Sequence, residues 1–133
     1  MSRRLRCDEV KELLAKLEKR ILRQEENGTM YWAIDGKPLV ISGCSKDPHA
    51  SYGRAAGGMA RGYKIHAIVG SNGCVSQWSL APMSKDERVM AKRMFKRLTI
   101  AGYIFADGNY DSNPLHKCCD EYGNAQLLSL IHI

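Results

Sequence analysis

Two aspartates each end a short apolar run. Asp35 closes Tyr31-Trp32-Ala33-Ile34, and Asp107, 72 positions later, closes Tyr103-Ile104-Phe105-Ala106. A carboxylate at the end of a buried strand is costly to desolvate unless something positive compensates it. Two that converge from adjacent strands would make a hard, oxygen-rich site for Mg²⁺ or Mn²⁺. Such a site serves phosphodiester cleavage and strand transfer. The competing reading is simpler: a solvated Asp at a strand end often only begins a turn.

The elements that must position this pair are legible in the periodicity. Across residues 9–26, Val10, Leu13, Leu14, Leu17, Ile21 and Leu22 recur as one apolar helical stripe, with Asp8 as cap and Asn27-Gly28 as stop. This helix reads as a leader to the main domain. Tyr31–Asp35 is expected as a strand that Gly36-Lys37-Pro38 breaks or bends before Leu39-Val40-Ile41. Residues 43–62 form a glycine-rich basic stretch, either a flexible hairpin arm or a segment meeting DNA phosphates through Arg54, Arg61 and Lys64. It lacks G-x-x-x-x-G-K-[ST], which excludes a nucleotide-binding P-loop.

Tyr63–Val69 alternates, with Tyr63, Ile65, Ala67 and Val69 on one face and Lys64, His66 and Ile68 on the other. Ser71-Asn72-Gly73 signals a hairpin, with Cys74–Leu80 returning as the partner strand. Ser84-Lys85-Asp86-Glu87 fits a capping box. The helix that follows turns Met90, Ala91, Met94, Phe95 and Leu98 inward and Arg88, Lys92, Arg93, Lys96 and Arg97 outward. Tyr103–Asp107 is nearly all apolar, as expected of a strand covered on both faces. Asn113 and Pro114 can cap and open a helix carrying Leu115, Cys118, Cys119 and Tyr122, which Gly123 ends before another apolar run from Gln126.

A chain of 133 residues makes one domain, and its net charge of +6 fits a polyanionic partner. The basic start Met1–Arg6 leads into no apolar stretch, so it is no signal peptide. No segment approaches the roughly 20 apolar residues of a membrane helix, and the expectation is a cytoplasmic protein with no membrane partner. The five cysteines are odd in number, include an adjacent pair and form no C-x-x-C, which argues against a disulfide framework. His116 with Cys118 and Cys119 reads as helix filler rather than a zinc site.

The element order is strand, two-stranded hairpin, helix, strand, helix, strand. That layout is α/β and RNase H-like: three antiparallel strands, then helix-connected strands, with an added N-terminal helix. In it the first strand neighbours the strand after the helix, which brings Asp35 and Asp107 together.

Ile34-Asp35-Gly36-Lys37-Pro38-Leu39, Gly53-Arg54 with Gly57-Gly58, Gly62-Tyr63-Lys64-Ile65-His66-Ala67-Ile68 and Ala106-Asp107-Gly108-Asn109-Tyr110-Asp111-Ser112 carry a resemblance. In this order and spacing they resemble the catalytic domain of bacterial DDE-type insertion-sequence transposases. The resemblance implies that Asp35 and Asp107 are the first two catalytic carboxylates and bind Mg²⁺ or Mn²⁺ at the scissile phosphate. Two such ions would activate the attacking oxygen and stabilise the leaving one. It implies a supporting role for Tyr110 and Asp111, and DNA contact or bracing for Lys64 and His66. The partner would be double-stranded DNA, at element ends and target, bound by a homodimer.

The family's third acid is a Glu on a helix after the last strand, and the chain ends before any such helix. Glu121 precedes that strand. The last six residues, Leu128-Ser129-Leu130-Ile131-His132-Ile133, match the translation of a tagmentation mosaic-end adaptor. The expected organisation is therefore an N-terminal amphipathic helix over 1–29, a partial catalytic domain over 30–127 and a non-native tail over 128–133. The leading expectation is a transposase fragment, inactive as it stands. The alternatives are a non-catalytic DNA-binding remnant, or a metal-dependent nuclease of the same fold.

Overall fold

Hydrophobic alternation and turn chemistry place ten elements along the chain. The computed structural model describes residues 7–25 and 29–129. Helix α1 (Asp8–Glu25) precedes strands β1 (Tyr31–Val40), β2 (Ser51–Ala55), β3 (Gly58–Gly70) and β4 (Val75–Pro82). Helix α2 (Glu87–Phe95), strand β5 (Gly102–Ala106), a 3-10 turn (Gly108–Tyr110), helix α3 (Asn113–Gly123) and strand β6 (Ala125–Ser129) follow. The basic start, the Asn27-Gly28 stop and residues 130–133 lie outside the described residues.

One six-stranded sheet organises the fold, in the order β2-β3-β1-β5-β6, with β4 also on β3. β1, β2 and β4 each pair antiparallel with β3, whereas β1–β5 and β5–β6 are parallel. This mixed sheet, with its crossover helices, is the RNase H-like layout. β3 is long enough to pair β2 along Gly58–Gly62 and then β4 along Tyr63–Val69. The glycine-rich stretch thus resolves into the β2–β3 hairpin, whose turn exits through Gly58 at φ +113°, open to glycine and strained for other residues.

Three local expectations change. β1 is continuous through Gly36-Lys37-Pro38 and pairs β3 as far as Val40. β5 flanks it only along Tyr31–Ala33. Past Asp35 the second edge is therefore free, and a free edge is where a strand tolerates proline. Helix α2 is capped by Asp86, whose carboxylate accepts the Arg88 N–H at 2.7 Å, and not by Ser84. Ser84 instead donates its backbone N–H to Ser51 Oγ. Helix α3 takes Ser112 as its N-cap, with Pro114 in the first turn, and ends at Asn124 in the left-handed region at φ 45°.

The core sits on one face of the sheet. Trp32, Ile34, Ile68, Ile104 and Leu127 pack there against Ala91, Met94 and Phe95 of α2 and against Leu115 and Cys119 of α3. The other face is also apolar but lies open, correcting the expectation that β5 is covered on both sides. Tyr31 is 54% exposed, Trp78 56%, Leu80 49% and Tyr103 38%. The Tyr31 ring stacks with those of Tyr103 and Phe105 at 6.1 and 6.4 Å between centroids. Strand β3 turns Lys64, His66 and Ile68 toward the helices, because its register sets His66 opposite Gly36 and Ile68 opposite Ile34. Once Trp32 and Ile34 choose the covered side, that register leaves β3 no other orientation.

Candidate active site

β1 and β5 run parallel, with Tyr31 opposite Tyr103, Trp32 opposite Ile104 and Ala33 opposite Phe105. Carried two residues beyond that last pair, the same offset would set Asp35 level with Asp107, which follows β5. Side chains alternate along a strand, so Tyr31, Ala33 and Asp35 share the open face with Tyr103 and Phe105. Adjacent strands lie about 4.8 Å apart. Asp107 follows the carboxyl end of β5, whereas Asp35, expected to close its strand, lies in the middle of β1, which runs on to Val40.

Local hydrogen bonds orient both groups. Asp35 Oδ1 accepts the Gly36 N–H at 2.7 Å. Asp107 caps the 3-10 turn, Oδ1 accepting the Asn109 N–H at 3.0 Å and Oδ2 the Asn109 side-chain amide at 3.1 Å. Each carboxylate oxygen keeps a further lone pair, so the pair can offer oxygen donors to a hard cation. Among the described residues, no group of three or more His, Cys, Asp or Glu is placed to hold a metal ion.

On the covered face, across from Gly36, His66 meets Tyr110. His66 is fully buried, and its Nδ1 is 3.3 Å from the Tyr110 hydroxyl, with the tautomer deciding which atom donates. Gly36 makes room for it: a Cβ there would lie 3.0 Å from His66 Nδ1 and 3.1 Å from Tyr110 Oη. Tyr110 comes from the turn that Asp107 caps, and His66 pairs across from the residue after Asp35. The two rings thus join the backbones carrying the two acids. Burial lowers the His66 pKa, against the opposing pull of Glu87. Burial, reinforced by Glu87, Asp35 and Asp107, drives the Tyr110 phenol well above its usual range. His66 Nε2 has no hydrogen-bond partner among the described residues.

The expected DNA contacts divide. Arg54 is exposed on β2. Arg61 is turned inward, donating to the backbone carbonyls of Ser45 at 2.8 Å, Asp47 and Ala50, and so pins the 41–50 loop. Tyr63 donates to the Asp47 carboxylate in the same loop. Lys64 bonds Glu87 at 2.6 Å, with only 14% of its side chain exposed. His66 is fully buried and offers no surface for DNA contact in this structure. Asp111 pairs with His116 at 3.1 Å at the start of α3.

Sequence reasoning passed over three residues here. Asn109 holds Asp107, Arg88 Nε donates to the Asn109 carbonyl at 3.1 Å, and Glu87 neutralises Lys64. Glu87 read as part of a capping box and Arg88 as solvated surface. Only their tertiary partners distinguish them.

No family model and no curated protein matches this sequence. Among solved structures, a chain in the cryo-EM structure of the simian T-cell lymphotropic virus intasome in complex with PP2A regulatory subunit B56 gamma is similar, at 13% identity and a TM-score of 0.44. The match covers 76% of this chain and 34% of that one, so this chain spans about a third of its length. A likeness of that degree fixes neither fold nor function, and the RNase H-like layout rests on the strand order and register described above.

Proposed function

We propose that this chain carries part of a metal-dependent DNA-strand cleavage and transfer site of the DDE transposase type, with Asp35 and Asp107 as two of its metal ligands. What supports the reading is the parallel β1–β5 register, which, carried two residues past Ala33 and Phe105, would bring Asp35 level with Asp107. Two carboxylates suit Mg²⁺ or Mn²⁺, whose remaining positions would fall to water and phosphate oxygens. The bound ion would supply Lewis-acid stabilisation of the phosphate and a more acidic attacking water or hydroxyl. The chain's own residues orient the donors: Gly36 and Asn109 hold the carboxylates, and the His66–Tyr110 contact joins the two backbones. Exposed Arg54, Lys92, Arg93, Lys96 and Arg97 supply positive charge for a duplex DNA backbone.

Mn²⁺ titration followed by electron paramagnetic resonance tests the reading. Asp35→Asn and Asp107→Asn are each expected to weaken Mn²⁺ binding at least about tenfold. Asn caps as well as Asp, so the turn after residue 107 should persist. Undiminished Mn²⁺ binding in both variants would sink the proposal. The lack of a third ligand among the described residues favours a second reading, a DNA-binding remnant without catalysis. It is recognised by salt-sensitive duplex binding that ignores both Mn²⁺ and the two substitutions.

A further inference from the structure

Helix α1 carries an apolar stripe that its own chain leaves uncovered. Leu13, Leu14 and Leu17 are 59%, 50% and 48% exposed. Across from it, the open face of the sheet is apolar too. Between them runs a groove of about 670 Å³, lined by Leu14 and Leu17 on one side and by Ile65, Ala67, Val75 and Trp78 on the other. Two half-buried apolar surfaces flanking one groove are poised for an apolar insert.

The charges beside the stripe specify which insert. Lys11 and Glu18 are seven residues apart and lie on one flank of α1, because seven residues are nearly two helical turns. Glu9 and Arg20, eleven apart and nearly three turns, lie on the other flank. Both pairs have the same midpoint, between Leu14 and Ala15. A two-fold axis through that point, perpendicular to the helix, sets Lys11 opposite the partner's Glu18 and Glu9 opposite the partner's Arg20. Each contact then repeats by symmetry, as in an isologous interface. Within one chain Lys11 bonds Asp8 at 3.0 Å, but that pair is 59% and 95% exposed and of little worth. Lys11 can therefore re-pair at small cost.

We infer that α1 is a self-association element: two copies of this chain pair antiparallel through α1, centred on Leu14, with the Leu14–Leu17 turn of each copy set into the groove over the other's β3–β4 surface. This inference stands apart from the metal site and does not depend on it.

Sedimentation equilibrium of the full 133-residue chain tests it. The unmodified chain should dimerise, and the Leu14→Glu/Leu17→Glu double variant should be monomeric with unchanged sheet circular dichroism. Lys11→Glu and Glu18→Lys, each alone, oppose like charges at both symmetric contacts and should weaken the dimer about tenfold. An equimolar mixture of these two variants should recover the original affinity, since each like-charged flank then meets its opposite. A chain that stays monomeric at about 1 mM, as it would if α1 folded onto its own sheet, overturns the inference. So does a double variant that still dimerises, or a mixture no stronger than its components.

Discussion

Under α2 and α3 the sheet holds Trp32, Ile34, Ile68 and Ile104 at 3% exposure or less, whereas on its other face Tyr31, Trp78 and Leu80 remain about half exposed. Both faces are apolar, yet only the first is packed. The covered face also takes in Lys64 and His66, the polar residues of the 64–69 stretch of β3, while Ile65, Ala67 and Val69 look outward. Composition therefore does not say which side of this sheet is the core. The packed side holds His66 against Tyr110, and the open side carries Tyr31, Trp78 and Leu80.

The largest effect that would sharpen this contrast comes from the packed side. Phe95→Ala empties a fully buried position beneath the sheet and should cost about 3–5 kcal/mol of unfolding free energy in a urea titration. A cost below about 1 kcal/mol would mean that α2 does not seal that face.

The next effect is pH-dependent and belongs to His66. Its folded pKa lies below that of an unfolded histidine, so between the two values the unfolded chain binds more protons. Its contribution is thus constant above about pH 6.5 and destabilising as the pH falls below it, by up to about 1.4 kcal/mol per pH unit. Subtracting the stability profile of His66→Gln from that of the unmodified chain isolates this slope. Identical profiles between pH 7 and 5 would break the view that His66 is a buried neutral ring.

The smallest effect is expected on the open side. Leu80→Ala should change unfolding free energy by less than about 1 kcal/mol, because half of that side chain already faces water. A loss as large as that of Phe95→Ala would show that the open face is packed after all.

Much of the fold was legible along the chain, since local signals carry it. Period-3.6 stripes mark the helices, period-2 alternation marks β3, and Ser71-Asn72-Gly73 marks the β3–β4 turn. Where a residue's role depends on a distant partner, the chain was silent or misleading. Pro38 reads as a strand breaker until β1 is seen to have a free edge there. Arg61 reads as a phosphate contact until the carbonyls of Ser45, Asp47 and Ala50 surround its guanidinium. Glu87 reads as a cap residue until Lys64 reaches it from β3.

The sequence by itself determined the apolar runs that precede Asp35 and Asp107 and the strand–helix order that makes β1 and β5 neighbours. Both follow from short-range sterics and hydrophobic periodicity, which act within a few residues. Only the tertiary structure decided that β1 runs on past Asp35 to Val40, that His66 meets Tyr110 where Gly36 makes room, and that the opposite apolar surface stays open. Register and burial are settled between segments far apart in the chain, where one residue of slip inverts every side chain.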